Sequence, residues 1–351
     1  MVVTTCPLHA MAALTEGQVR RKPLVVILGP TAVGKSRVAI EIAKRLDSEI
    51  LSADSRQVYR GMNVGTDKPS AADRQGIVHH LIDLIDPDEA FNAGLFRQHA
   101  TQRIEALHQR RRLPLVVGGT GLYVRILLQG LCEAPPSDPR IRAQFCEEAR
   151  EQGHEHLYAR LASVDPVTAA KLHPRDTSKI IRALEVHHLS GIPMSSFQAE
   201  HGFSDRPFSA LVIGLNRERE QVYRRIEERI DWQISNGLLE ETRHLLARGY
   251  RRDDPGLTGL GYRHAAAYLS GECDQEEMLR LFKRDTRRFA KRQMTWFRRE
   301  AETAWLMIPE SEPLEETARQ DHRRTATRRD VRCAGRTPWN VGHRRSRVSQ
   351  D

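Results

Sequence analysis

Residues 29–36 of the chain read GPTAVGKS, and this segment fits the phosphate-binding pattern GxxxxGK followed by Ser or Thr. The apolar run LVVIL precedes it, and RVAIEIAKRL follows it with Val38, Ile42 and Leu46 on one helical face. A strand, a glycine-rich turn and a helix in this order predict an α/β domain that binds a phosphate group at the positive end of its first helix. The eight candidate contacts are Gly29, Pro30, Thr31, Ala32, Val33, Gly34, Lys35 and Ser36.

Three side chains near this loop can contribute to chemistry. Lys35 adds a cation, and the hydroxyl of Ser36 can ligate Mg²⁺, the one cofactor that we expect. Asp54 ends the second apolar run, EILSAD, where its carboxylate can act as a general base or hold the metal ion through water. A single Asp at the end of a strand can also be only a cap. The loop pattern, which ATP-binding proteins share, indicates a phosphate group and not a particular nucleotide.

Two later apolar runs extend the predicted sheet. LPLVVGG ends at Gly118 and Gly119, and SALVIGL covers residues 209–215. Strands of this kind, separated by helical stretches, predict a parallel sheet with its site at the carboxyl ends of the strands. LPLVV continues into glycine and not into the Asp of a Walker-B strand, which disfavours a motor ATPase. We therefore predict an α/β fold with a P-loop, kinase-like parallel sheet core.

Between residues 138 and 204 the pattern changes to short amphipathic helices. Asp165 and Pro166 open one of them, and Asp176 opens another that Gly191 closes. We interpret this segment as a helical insertion domain. The predicted parts of the chain are an N-terminal extension (1–22), a catalytic core (23–137 and 205–315), the insertion (138–204) and a basic tail (316–351) that is predicted to be disordered.

Two long helices are predicted in the second half of the core. The first carries Val222, Ile226 and Ile230 on one face, and the second covers residues 275–300. In the second helix an aromatic residue recurs every seven positions, which we interpret as core packing and not as a base-stacking platform; the three are Phe282, Phe289 and Trp296. Nine Lys or Arg residues between 280 and 299 fit either a solvated face or an RNA-facing one.

The charge of the chain is uneven. The formal net charge is +9, and residues 319–351 alone contribute +7, from ten Arg and three Asp. This charge fits a polyanionic partner, and it equally fits a nearly neutral enzyme with a basic tail. The five cysteines include no CxxC pair, so we expect neither a zinc site nor a disulfide. No apolar run approaches the roughly 18 residues of a membrane span, and we expect a monomeric, cytoplasmic protein without a membrane partner.

Seven segments between residues 24 and 300 together resemble the successive signatures of the tRNA dimethylallyltransferases, the isopentenyltransferase or IPP transferase family. They are GPTAVGKS, ADSRQVYRGMNVGTDKP, HHLID, VGGTGLY, HPRDTSKIIRALEV, GLGYRH and AKRQMTWFR. A phosphate loop alone is common, whereas this ordered set is specific.

The resemblance implies an enzyme that transfers a dimethylallyl group from dimethylallyl diphosphate to the N6 amine of the adenosine next to the tRNA anticodon, at position 37, and releases diphosphate. It also implies that the phosphate loop binds the diphosphate, and that the adenosine is flipped into a channel because its amine is inaccessible in a stack. By the same resemblance, the helical insertion binds the anticodon stem-loop of tRNA.

The resemblance assigns a catalytic role to three residues. Asp54 matches the general base for the adenine amine, Thr120 a contact to the target nucleotide, and Arg229 a contact to the diphosphate; taken alone, Arg229 would indicate only a surface ion pair. Spacing adds that Arg225 and Arg229 are i, i+4 and border the apolar face of their helix. The positions that match tRNA contacts are Asp54, Ser55, Arg56, Gln57, Thr120, Arg142, Ser178, Lys179, Ile180, Ile181, Arg182, Thr258, Gly259, Leu260, Gly261, Tyr262 and Arg263.

The chain departs from the family pattern at two places. Ser178 and Lys179 stand where the family often has Gln-Arg, and Leu260 stands where a polar residue often precedes the Gly-Tyr pair. The alternative function is that of a P-loop nucleoside or small-metabolite kinase. A kinase would need a second-substrate pocket and lid arginines, and the predicted RNA-binding insertion fits it less well.

Overall fold

The computed structural model describes residues 21–300 and 302–309. The predicted basic tail at 316–351, and the predicted N-terminal extension up to residue 20, lie outside the described residues. The strands are β1 (Lys22–Leu28), β2 (Ile50–Ser52), β3 (His79–His80), β4 (Leu115–Gly118), β5 (Phe208–Asn216) and β6 (Thr303–Met307). The helices are α1 (Lys35–Leu46), α2 (Ala71–Arg74), α3 (Ala93–Gln109), α4 (Gly121–Gln129), α5 (Pro139–Gln152), α6 (His154–Val164), α7 (Pro166–Ala169), α8 (Thr177–Ser190), α9 (Met194–His201), α10 (Arg219–Ser235), α11 (Leu238–Ala247), α12 (Leu260–Leu269) and α13 (Gln275–Phe297).

The strands form one parallel sheet in the order β3-β2-β4-β1-β5-β6. The predicted parallel α/β core is therefore confirmed, and the four predicted strands are β1, β2, β4 and β5. β1 lies inside the sheet between β4 and β5, which explains why it is apolar without alternation. The sequence did not predict β3 and β6, because β3 consists of two histidines and only one residue of β6 is fully buried.

The order of the strands places the predicted site residues at one edge. β2 lies beside β4, and β4 lies beside β1, so their carboxyl ends are adjacent. The phosphate loop follows β1, Asp54 follows β2, and Thr120 follows β4. Three chain segments that are far apart in sequence therefore converge at the position where parallel sheets commonly bind ligands.

The described part of the chain divides into two compact units. The first contains the described residues up to Val124 and from Phe208 onward and includes the sheet; the second is Arg125–Pro207. The predicted insertion, 138–204, lies entirely within the second unit, but the unit begins earlier than predicted, inside α4. The sequence carries no glycine or proline at this boundary, because helix α4 continues across it.

The second unit has its own apolar core. Phe145, Leu157, Leu161, Ile180 and Leu184 contribute to it from α5, α6 and α8. The predicted cap at Asp165 is present, since its carboxylate accepts hydrogen bonds from the backbone N and the hydroxyl of Thr168. α8 runs from Thr177 to Ser190 and ends at a left-handed Gly191, as predicted.

The aromatic stripe predicted along α13 is only partly a core stripe. Phe282 is buried, but Phe289 is 37% exposed. A spacing of seven drifts by only about 20° per step around a straight helix, so the helical angle alone does not explain this difference in exposure. The buried face instead follows the 3.6-residue period and consists of Met278, Phe282, Thr286, Ala290, Gln293 and Phe297. No helix in the described part of the chain is long and apolar enough to cross a membrane.

Candidate active site

The phosphate loop joins β1 to α1 and is shaped by its own backbone. Gly34, which caps α1, has a φ of 106°, a conformation that favours glycine. Arginine side chains bind the carbonyl oxygens of the loop: Arg225 Nε donates to Ala32 at 2.8 Å, and Arg217 Nε donates to Val33 at 3.1 Å. The carbonyl dipoles are thereby directed at cations, which leaves the loop suited to an anion at the start of α1.

A cleft of about 880 Å³ lies over this loop. It is lined by the loop and α1, by the end of β4 and the residues that follow β2, by α10, and by residues 61–69, which we call the Asp67 loop. The lining includes Thr31, Gly34, Lys35, Ser36, Asp54, Gln57, Asn63, Thr66, Asp67, Lys68, Gly118, Arg225, Arg229 and Trp232. The predicted phosphate-binding residues and the predicted general base therefore share one cavity.

Lys35 is the cation inside the loop. Its Nζ donates to the carbonyl of Pro30 at 2.8 Å. The pKa of Lys35 is lowered to about 8, mainly by burial and also by the charge of Arg229, although the carboxylates of Asp54 and Asp67 act to raise it. The side chain is therefore mostly protonated at neutral pH, but its charge is costly in the absence of an anion. A bound diphosphate would relieve this cost.

Arg229 reaches the phosphate loop from α10. One guanidinium nitrogen donates to the Thr31 hydroxyl at 2.7 Å, and another lies 3.2 Å from a carboxylate oxygen of Asp67. Arg229 is one helical turn beyond Arg225, so the i, i+4 spacing directs both side chains at the same loop. The sequence analysis gave no role to Asp67, because only the folded chain brings its loop against α10.

Asp54 and Thr120 meet where β2 and β4 end. Asp54 Oδ1 accepts a hydrogen bond from the backbone N of Arg56 at 2.8 Å, and the Thr120 hydroxyl accepts one from the backbone N of Ser55 at 3.0 Å. The backbone N of Thr120 in turn donates to the carbonyl of Ala53 at 3.2 Å. These bonds lock the turn after β2 onto the start of α4, so both side chains that the resemblance assigns to the adenosine lie together.

Two further residues of the predicted tRNA set extend from this turn. Arg56 donates to the carbonyl of Pro255 at 2.8 Å and to the Thr258 hydroxyl at 3.1 Å. Gln57 donates to the carbonyl of Asp67 at 3.2 Å and accepts from the hydroxyl of Ser52. The turn after β2 is therefore connected to the residues before α12 and to the Asp67 loop.

The structure corrects the predicted set around α12. Thr258 and Arg263 are exposed, and Leu260 is half-buried. Tyr262 is 1% exposed and packs in the core with its hydroxyl bonded to Glu241, and Gly259 and Gly261 are also buried. Because its side chain is buried, Tyr262 cannot contact RNA in this conformation. Its place in the motif is explained by packing. Burial and the adjacent carboxylate raise the pKa of its hydroxyl.

The second unit brings together the other predicted tRNA contacts. A guanidinium nitrogen of Arg142 lies 3.4 Å from the Ser178 hydroxyl, and Lys179 pairs with Asp176. Arg182 instead pairs with the buried Glu185 and the carbonyl of Pro135. The side chains of Ile180 and Ile181 are part of the core of the unit, so the predicted contacts at these positions do not come from their side chains. Ser178 and Lys179, in the first turn of α8, are exposed.

Gln293 of α13 is a site residue that the sequence analysis missed. It lies within the segment AKRQMTWFR, but nothing in the pattern distinguished its side chain from the surrounding basic residues. In the structure its amide contacts both the phosphate loop and the segment after β4. The signal that could have found it is a polar residue on the apolar face of a helix.

The sequence is similar to that of a described protein family. A sequence model of the IPP transferase family matches residues 57–300. The chain is 49% identical to tRNA dimethylallyltransferase 2 of Geotalea uraniireducens over 298 residues, which cover 85% of this chain and 96% of that protein. It is 50% identical to the tRNA dimethylallyltransferase of Geobacter metallireducens over 286 residues, which cover 82% of this chain and 93% of that protein.

The fold is similar to solved structures of enzymes with the same kind of name. The full-length tRNA isopentenylpyrophosphate transferase from Bacillus halodurans aligns with a TM-score of 0.67 at 36% identity, over 90% of this chain and 100% of that one. A eukaryotic dimethylallyltransferase acting on tRNA aligns with a TM-score of 0.76 at 25% identity, over 91% of this chain and 81% of that one.

Proposed function

The chain belongs to the IPP transferase family, and from this premise we propose that it transfers a dimethylallyl group from dimethylallyl diphosphate to the N6 amine of adenosine 37 in tRNA. Relatives that it matches over nearly their full length are tRNA dimethylallyltransferases. The prediction of this transferase in preference to a P-loop kinase is thereby confirmed. The position of the adenosine and the roles of single residues are our proposal.

The observation that carries the proposal is the composition of the cleft. Lys35 and Arg229 supply positive charge beside the phosphate loop, and Asp54 and Thr120 lie at the adjacent strand ends. A diphosphate bound to the loop would therefore have a carboxylate beside it that can accept a proton. A kinase transfers a phosphoryl group and would use the same loop, but the family of the chain favours transfer of the allylic group.

The reaction joins a weak nucleophile to an allylic carbon. The lone pair of the adenine amine is delocalised into the ring, so departure of diphosphate must provide much of the driving force. As the bond from N6 to the allylic carbon forms, the bond from that carbon to the diphosphate oxygen breaks. Lys35, the loop amides and Arg229 stabilise the departing negative charge. Asp54 accepts the proton from N6 as general base, with Thr120 beside the adenine.

Mg²⁺ fits the donors of this cleft. Ser36 has an exposed hydroxyl, and Asp54 and Asp67 add carboxylates, all of which are oxygen ligands of the kind that Mg²⁺ prefers. We infer that Ser36 holds the ion directly and Asp54 through water. Residues 21–300 and 302–309 contain no group of three His, Cys, Asp or Glu that could form a complete metal cage. When bound, the ion neutralises charge on the diphosphate.

For the tRNA, we propose that exposed and half-buried polar residues of each unit provide contacts. They are Arg56, Thr258 and Arg263 in the first unit, and Arg142, Ser178 and Lys179 in the second. Such side chains fix a nucleic acid mainly through its phosphates and ribose groups. The anticodon stem-loop is the part of the tRNA that we assign to them. We further propose that the protein acts in the cytoplasm as a monomer.

The test is a direct assay of the product. Purified protein, Mg²⁺, dimethylallyl diphosphate and an unmodified tRNA with adenosine 37 should yield dimethylallyl-adenosine after digestion and mass spectrometry, without ATP. A tRNA with guanosine 37 should bind but not react, because its edge presents a carbonyl in place of the amine. Turnover of ATP with a small acceptor, and no modified adenosine, would restore the kinase alternative.

A further inference from the structure

The side chain of Gln293 bridges two parts of the cleft. Its Oε1 accepts a hydrogen bond from the backbone N of Thr31 at 2.9 Å, and its Nε2 donates to the carbonyl of Gly119 at 2.8 Å. Thr31 belongs to the phosphate loop, and Gly119 directly precedes Thr120. The two segments are 88 positions apart in the sequence, and they follow the paired strands β1 and β4.

The two partners leave one orientation for the amide. A backbone N–H can only donate, so the atom facing Thr31 must be the oxygen; a carbonyl can only accept, so the atom facing Gly119 must be the nitrogen. Gln293 is 8% exposed, and a buried amide that lost either bond would leave a polar group without a partner. The bridge is therefore fixed both in direction and in length.

Gly119 has the space for this bridge only because it lacks a side chain. A Cβ at position 119 would lie 2.5 Å from Gln293 Nε2, well inside contact distance. The next nearest atoms, Cδ of Gln293 and the carbonyl oxygen of Gly29, would be at ordinary distances of 3.7 and 3.8 Å. The close approach thus involves the amide of Gln293 and little else.

The bridge connects the two halves of the proposed reaction. On one side Thr31 also bonds Arg229 through its hydroxyl, so this is the diphosphate side. On the other side Thr120 holds the backbone of Ser55, next to the general base Asp54. The two reacting groups are bound by these two segments, and their separation decides whether the allylic carbon lies in line with the amine.

We propose that Gln293 is a positioning residue, which sets the spacing between the diphosphate-binding loop and the strand ends that carry Asp54 and Thr120. This inference rests on the proposed prenyl transfer. Gln293 touches neither reacting atom, and it acts by holding Thr31 and Gly119 at the two ends of one rigid amide. Its loss should disturb alignment and leave the charges that bind the diphosphate in place.

The first test replaces Gln293 with side chains of similar length. Gln293→Met removes both hydrogen bonds, and Gln293→Glu keeps an acceptor for Thr31 but sets a carboxylate oxygen against the carbonyl of Gly119. In either variant kcat should fall about 10- to 100-fold, because a misplacement of about 1 Å can cost about 10² in rate. KM for dimethylallyl diphosphate, and the affinity for inorganic diphosphate by calorimetry, should stay within about threefold.

The matched control is Gln275→Met, at the exposed start of the same helix, which should leave kcat unchanged. A kcat within threefold of wild type in both Gln293 variants would overturn the proposal. Equal losses in kcat and in diphosphate affinity would also overturn it, because Gln293 would then be a binding residue. If the wild-type protein itself made no prenylated tRNA, the proposed function would fail first, so the two failures are distinguishable.

The second test uses the close approach at Gly119 and remains valid if Gln293→Met does not fold. Gly119→Ala should displace the amide and lower kcat, because its Cβ would lie only 2.5 Å from Nε2. In a Gln293→Ala background the same Cβ meets no amide, so Gly119→Ala should add little further loss. Additive losses in the double variant would contradict the bridge, since independent sites combine without coupling.

Discussion

The position of Asp54 is set by the backbone around it and not by a charged partner. Its Oδ1 accepts the N–H of Arg56, an arrangement that an amide oxygen can reproduce. Asp54→Asn should therefore keep the turn intact and remove only the basic group, and the single-turnover rate of prenyl transfer should fall about 10²- to 10⁴-fold. Filter binding should show tRNA affinity within a few-fold of wild type. Asp88→Asn, at an exposed loop position, is the matched control, and a rate above half of wild type for Asp54→Asn would remove it as the base.

The lowered pKa of Lys35 leads us to expect that diphosphate binding depends on pH. Burial lowers its pKa to about 8 in the free protein. Below that pH the ammonium group is present and attracts the anion; as the pH rises through about 8 it is lost, so affinity for inorganic diphosphate should weaken. Lys35→Arg keeps its charge over this range. The affinity of wild type relative to Lys35→Arg, measured by calorimetry between about pH 6.5 and 9, should decline with pH. A constant ratio would contradict the lowered pKa, and the ratio cancels the titration of the ligand itself.

Three helices hold the Asp67 loop, two of them through one carboxylate. Glu241 of α11 accepts hydrogen bonds from the backbone N of Asn63, Val64 and Gly65 at 2.9, 3.0 and 3.2 Å, and from the Tyr262 hydroxyl at 2.6 Å. Gln233 of α10 adds a bond to the carbonyl of Val64. This attachment fixes the loop that carries Asp67 to Arg229.

Glu241→Gln should therefore loosen the Asp67 loop. The amide presents N–H groups where the backbone also donates, and we expect a loss of about 2 kcal/mol in the free energy of unfolding, typical of hydrogen bonds to a charged group. Tyr262→Phe removes one donor of four and should cost about 1 kcal/mol. The two losses should be less than additive in the double variant, because the residues share a bond. Urea denaturation measures all three proteins, and full additivity would show that the bond contributes nothing.

Local pattern in the sequence was sufficient for the elements that it specifies directly. The buried runs that became β1, β4 and β5, the caps at Asp165 and Gly191, and the phosphate loop all follow from residues adjacent in the chain. β3, with two polar residues, is a strand only because β2 lies beside it. Tertiary pairing of that kind leaves no period in the sequence.

The same distinction applies to the site. Lys35, Asp54 and Arg229 were predicted from motifs and converge on one cleft. The roles of Asp67, Glu241 and Gln293 come from contacts across 162, 176 and 262 positions of the chain. Motif resemblance also assigned Ile180, Ile181 and Tyr262 to the RNA, because a motif records which residues recur and does not separate packing from contact.

In the molecule as a whole, most of the net positive charge and the residues of the cleft lie in different parts of the chain. Residues 319–351 contribute +7 of the net +9, so the remainder is nearly neutral. Many arginines of the described part are paired with acids, for example Arg252 with Glu272, Arg280 with Glu277 and Arg287 with Glu227. We therefore expect this part to attract a polyanion only through local groups such as Arg142, and the tail to provide most of the long-range attraction.

Truncation after residue 318 should separate these two contributions. The cleft and the described contacts lie between residues 21 and 309, so Tm and kcat with saturating tRNA should remain at wild-type values. The slope of log K against log salt for tRNA binding should become shallower. Fewer phosphate contacts mean that fewer counterions are released on binding, and each lost contact reduces the slope by about 0.7 to 0.9. A full-length variant with the ten tail arginines replaced by glutamine keeps the chain length and tests charge alone; it should match the truncation. An unchanged salt slope in both variants would show that the tail does not contact the tRNA, and an unfolded or inactive truncation would show that the fold requires it.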